Sequence, residues 1–176
     1  LITEHTTYAE FAWHCNAIIA SLGCSHTTSS TMQNAYHEFG IVPLEKTFPL
    51  QVRLIDGKLF VVNPMNNTNK IKIKDEISSI NGIETPKLIS DIFQHISAQA
   101  NSETFRRQKF NTSFALMIPY TLGLPKTFEV QLKGSNESIM LKKPVNFASE
   151  WYDQAAINCP NNLCFDIVDK NTAILT

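Results

Sequence analysis

Gln51-Val52-Arg53-Leu54-Ile55-Asp56-Gly57-Lys58-Leu59-Phe60-Val61-Val62 reads as two strands and the turn between them. Gln51 to Ile55 alternates polar and apolar side chains, the period of a half-buried strand. Asp56-Gly57 follows as a two-residue hairpin turn, where glycine accepts the positive φ of the primed turn types. Lys58 to Val62 returns as the partner strand. Beyond the polar loop 63–70, the run Ile71-Lys72-Ile73-Lys74-Asp75-Glu76-Ile77-Ser78-Ser79-Ile80-Asn81-Gly82-Ile83 predicts a short strand through Ile77 and Ile80, ending in a second Asn-Gly turn. Thr85-Pro86 then opens a helix. Thr85 is expected as its N-cap and Pro86 in its first turn, where no amide partner is lost. Leu88, Ile89, Ile92, Phe93 and Ile96 recur on one face and are expected to lie against the sheet.

Upstream, Thr7-Tyr8-Ala9-Glu10 has the form of a capping box. Phe11, Ala12, Cys15, Ile18, Ile19 and Leu22 follow at helical spacing, with Gly23 as terminator. A single helix cannot bury that stripe, so it is expected to pack on another element. In the Ser/Thr/Asn-rich segment 27–39, Met32, Ala35, Tyr36 and Phe39 permit a short second helix ending at Gly40. Downstream, residues 102–118 form an amphipathic pattern through Phe105, Phe110, Phe114, Ala115 and Met117, which Pro119 is expected to end. Arg106, Arg107 and Lys109 are expected on its solvated face. Thr127 to Lys133 alternates as a strand, and Gly134-Ser135-Asn136 turns it into Ser138 to Lys142. Phe165 to Leu175 reads as a further hairpin.

The 176 residues carry a net charge of -1 and are 43% hydrophobic, which argues against nucleic acid or an anionic membrane as the main partner. No apolar run approaches the ~20 residues of a membrane-spanning helix. The chain starts at Leu1 and stops inside the apolar run Ala173-Ile174-Leu175-Thr176, so it is expected to be a piece of something longer. The four cysteines lack the paired spacing of a zinc site. Cys15 is expected to be a buried small hydrophobe. Cys159 and Cys164 flank a turn-like segment, and both a disulfide and free thiols stay open.

Lys74-Asp75-Glu76-Ile77-Ser78-Ser79-Ile80-Asn81-Gly82 resembles the "GDEIlsING" segment of bacterial PDZ domains, with Lys74 where glycine is usual. With the preceding hairpin and the following helix, it is similar to the PDZ-like module of the C-terminal-processing and tricorn-type serine peptidases. Leu22-Gly23-Cys24-Ser25-His26-Thr27 resembles the segment after the first helix in that family, although the Asp that often precedes its Gly-His is absent.

In the tricorn-type branch this histidine is the general base for a serine in a later catalytic domain, and the preceding serine helps hold it. The resemblance therefore makes His26 the candidate base and Ser25 its candidate orienter. A neutral imidazole on a loop can take a proton from a hydroxyl at physiological pH. In the C-terminal-processing branch a Ser-Lys dyad does the chemistry and this histidine stands outside it. The structural alternative is a histidine hydrogen-bonded near a helix end. His5, His14, His37 and His95 have no spacing that suggests a metal site, with His95 on the polar side of its helix, and no cofactor is implied.

PDZ-type modules bind an extended peptide along a strand edge beside a helix. The corresponding elements are Leu50 to Ile55 and Pro86 to Ile96, with Phe48, Leu50, Val52, Ile89 and Phe93 as candidate peptide-binding residues. Pro49 removes an amide from the loop expected to hold a terminal carboxylate, which leaves strand addition. The alternative is that Phe48 and Leu50 fill the core and the protein's own chain fills the groove.

The expected fold is α+β. An N-terminal helical segment (1–43) precedes a PDZ-like small β-sheet or barrel module (44–143) with a helical insertion (98–126). A linker and first strands (144–176) lead to a catalytic domain. The resemblance implies the non-catalytic N-terminal part of an exported bacterial serine peptidase. Its partners would be a peptide or unfolded protein substrate and the downstream catalytic domain. A non-enzymatic PDZ-like binding or scaffolding protein is the other reading.

Overall fold

Asp56 and Gly57 both adopt positive φ, 48° and 75°, and this primed turn joins strand β1 (Gln51–Ile55) to β2 (Lys58–Asn63). The computed structural model describes residues 2–27 and 44–145, and by backbone alone the strand segments 165–169 and 172–175. The hairpin register sets Leu54 opposite Leu59 and Val52 opposite Val61, so these four share one face and all are buried. β3 (Glu76–Ile80) pairs with β2 through Leu59 and Ile77.

A second primed turn, Asn81 (φ 48°) and Gly82 (φ 75°), folds the short β4 (Ile83–Glu84) back along β3. β5 (Glu129–Leu132) pairs with β3, and β6 (Ser138–Met140) with β5. The strand order is β1-β2-β3-β5-β6 with β4 beside β3, every pairing antiparallel. Asn81 also holds the start of β5. Its amide donates to the Glu129 carbonyl and its side-chain oxygen accepts from the Glu129 amide at 2.8 Å.

Three α-helices lie among the described residues. α1 (Tyr8–Ser21) starts with the capping box formed by Thr7 and Glu10. α2 (Thr85–Phe93) lays Leu88 and Ile92 into the core, with Ile89 and Phe93 at its margin. α3 (Glu103–Thr121) inserts Phe110, Phe114 and Ile118. The hairpin, the isoleucine strand and the proline-started helix share one hydrophobic core with α3 and Trp13 of α1. The fold is α+β. The segments Phe165–Asp169 (β7) and Thr172–Leu175 (β8) form the expected hairpin. No described helix is long and apolar enough to cross a membrane.

Several local expectations are corrected. Thr85 does not cap α2. The N-cap is Glu84, and Thr85 is buried with its hydroxyl donating to the Ile77 carbonyl at 2.8 Å. The hydroxyl is worth more tying the helix to β3 than meeting an amide that water can reach. Pro119 does not end α3, which continues to Thr121. Proline strands the Ala115 carbonyl, four residues back, but the Phe48 amide donates to that carbonyl at 3.0 Å.

The stripe on α1 is rotated from its expected place. Ala12, Trp13 and Ala20 are buried, while Phe11, Ile18 and Leu22 are 42%, 67% and 65% exposed. Trp13 displaces them because it has a ring to stack on. The His95 imidazole lies 3.8 Å away, nearly parallel, and the Tyr120 ring also stacks on the indole, at 5.4 Å. His95 is thus a half-buried packing partner rather than a residue of a polar face. Cys15 is half-buried, not buried. Arg106 is not simply solvated: it donates to the Ile96 carbonyl and the Asn101 side chain. The expected short helix ending at Gly40, and Cys159 and Cys164, lie outside the described residues.

Candidate functional site

Gly23 (φ 65°) ends α1, its amide donating to the Ala20 carbonyl. The four residues that follow close a turn in which the Thr27 amide donates to the Cys24 carbonyl. Two bonds pin this turn to the segment between α2 and α3. The Ala100 amide donates to the Gly23 carbonyl at 3.0 Å, and the Ser97 hydroxyl donates to the Cys24 carbonyl. His26 is therefore presented to solvent from an anchored turn, with Ser25 half-buried next to it. No hydrogen bond joins the Ser25 hydroxyl to the His26 ring among the described residues.

The turn organises a thiol. The Thr27 hydroxyl, then the His26 and Thr27 amides, favour the thiolate of Cys24 and lower its pKa from the ordinary thiol value, with burial pulling slightly the other way. From the sequence, Cys24 registers only as a departure from the family pattern. The signal for it was the Cys-x-x-Thr spacing, which brings the Thr27 hydroxyl and the backbone amides of one turn near the thiol.

The five candidate peptide-binding residues separate into two groups. Phe48, Leu50 and Val52 are buried, and Phe48 meets Phe114 of α3 and Phe128 edge-on at 5.4 and 5.3 Å. β1 is an edge strand, yet its outward Leu54 amide donates to Asn111 of α3 at 2.7 Å. The space between β1 and α2 is thus filled by the protein's own helix, and Phe48, Leu50 and Val52 are core residues with no surface for a ligand. The physical reason is that Phe110 and Phe114 bury apolar area there while Asn111 meets the outward Leu54 amide.

Ile89 and Phe93 are different. They are half-buried and line a cavity of about 630 Å³ between α1 and α2, together with Ala17, Ala20 and Arg106.

Neither a scan against protein-family models nor a search of curated proteins finds a match to this chain. Among the described residues no group of three His, Cys, Asp or Glu side chains could hold a metal ion. The site features therefore stand on their own geometry: an anchored, exposed imidazole, a thiol in the same turn, a strand edge covered by α3 at Leu54, and an open cleft between α1 and α2.

Proposed function

We propose that this chain is the non-catalytic, PDZ-like part of an exported serine peptidase, with the nucleophile beyond Thr176 and His26 as general base. The observation that supports it most is at Lys74. Its φ is 77°, a left-handed conformation that favours glycine, and glycine is the usual residue there in the motif this segment resembles. Lys74 donates from its amide to the Val61 carbonyl at 2.8 Å, and the Asp75 carboxylate accepts the Lys72 amide at 2.8 Å. The chain keeps the motif's bend while lacking the residue that makes it easy.

In this reading His26 takes the proton of the serine hydroxyl as the oxygen attacks a peptide carbonyl and returns it to the leaving amine. The PDZ-like module, its strand edge closed by α3, acts as a gate or scaffold beside the catalytic domain rather than as an open receptor for the peptide or unfolded protein substrate.

The test is a comparison of the 176-residue chain with the protein extended through the downstream sequence. The extended protein should hydrolyse unstructured peptides and be inactivated by a fluorophosphonate, while the shorter chain shows no turnover. His26→Ala should lower kcat of the extended protein by about 10²–10⁴-fold. Turnover by the 176-residue chain overturns the assignment. A downstream sequence with no serine at a strand-to-helix turn leaves a scaffold, and an unaffected His26→Ala variant removes the imidazole from the chemistry.

A further inference from the structure

The cleft between α1 and α2 has one charge in its lining, and that charge is uncompensated. Its apolar walls come from Ala17 and Ala20 on one side and Pro86, Ile89 and Phe93 on the other, the rest being neutral polar residues and Arg106. The small side chains on α1 leave the space in front of Ile89 and Phe93 open. The Arg106 guanidinium donates from Nε to the Ile96 carbonyl at 3.3 Å and from Nη2 to the Asn101 side-chain oxygen at 2.9 Å. Both acceptors are neutral, and none of the ion pairs among the described residues involves Arg106. Nearby Glu103 is committed to Arg107 at 2.7 Å. A guanidinium offers five N–H donors in a fork that matches a carboxylate, and Nη1 has no acceptor among the described residues.

We propose that this cleft binds a small free carboxylic acid with an apolar stem, its carboxylate on Arg106 and its stem between Ile89 and Phe93. The volume of about 630 Å³ lies in the range of small-ligand sites. A free acid fits better than a peptide for a physical reason. The walls are helix faces whose backbone groups already bond within their helices, so an extended peptide would find no ladder for its own amides, whereas an alkyl stem has none to satisfy. The inference does not depend on the peptidase reading.

The experiment is an NMR titration of the 176-residue chain with octanoate, and in parallel with octan-1-ol, which keeps the stem and removes the charge. Octanoate should shift the Ile89 methyl and Phe93 ring signals saturably, and octan-1-ol should bind at least about tenfold more weakly. Ala17→Leu, which fills the cleft without touching Arg106, should weaken octanoate at least about tenfold with an unchanged melting temperature, and Arg106→Lys should weaken it several-fold. Three results overturn the proposal: equal binding of octan-1-ol, shifts that map away from the cleft, or no saturation below about 10 mM. A short peptide ending in an apolar residue that binds more tightly than octanoate also overturns it.

Discussion

Asn111→Ala tests whether α3 seals the strand edge. In the folded protein the Leu54 amide donates to Asn111 Oδ1 at 2.7 Å, and Leu54 is 6% exposed. Removing the acceptor leaves a buried donor unmet, which costs about 1–3 kcal/mol. For a chain of this size each kcal/mol lowers the melting temperature by about 2–4 °C. Urea denaturation should show the loss with an unchanged m-value, because the surface exposed on unfolding is the same.

Amide exchange localises the effect. If water reaches the strand edge in the variant, Leu54 should exchange faster than the global stability change alone requires, by about tenfold per 1.4 kcal/mol of extra local opening. Arg53, whose ladder partner is Phe60, should follow only the global change. An unchanged Leu54 exchange rate together with an unchanged midpoint would refute the claim that Asn111 occupies the place of an added strand.

Lys74→Gly should stabilise the protein by about 0.5–1 kcal/mol. A left-handed residue with a Cβ costs roughly 1–2 kcal/mol, part of which glycine's greater unfolded-state freedom cancels; a lower urea midpoint would show that Lys74 is not strained. The pH dependence centres on His95. Burial holds its imidazole below the ordinary value of 6.5, and the Asp91 carbonyl, which accepts from Nδ1 at 2.9 Å, pulls the other way, with His14 lowering it further and the Asp91 charge raising it. The folded chain then binds fewer protons than the unfolded one, so stability falls as pH drops through the region below 6.5. His95→Phe keeps a ring against Trp13 and removes the titration, so its thermal stability should change less than wild type between about pH 7.5 and 5. Identical pH profiles for the two proteins would exclude His95 as the group responsible.

The two primed turns and the α1 capping box were legible in the sequence because their causes lie within a few residues; the Thr85 cap was not, because the hydroxyl's partner is Ile77 of β3. Asp56-Gly57 and Asn81-Gly82 specify primed turns, and Thr7 and Glu10 specify a capping box, through local sterics and short-range hydrogen bonds. The apolar periods around them were enough for an α+β fold with its hairpins in place. Of the candidate site, the loop carrying His26 was legible as a helix stop, and Ile89 and Phe93 as one face of α2.

What tertiary structure decided was every choice between partners distant in sequence. Trp13 prevails over Phe11, Ile18 and Leu22 because His95 and Tyr120 supply rings for it to stack on. Pro119 sits inside a helix because the Phe48 amide meets the carbonyl it strands. Phe48, Leu50 and Val52 fill a core instead of lining a groove because Phe110, Phe114 and Asn111 arrive over them. A local pattern states which face of an element is apolar. Only the competition among all such faces for the same buried volume, with every displaced amide and carbonyl needing a new partner, settles which one is covered and by what.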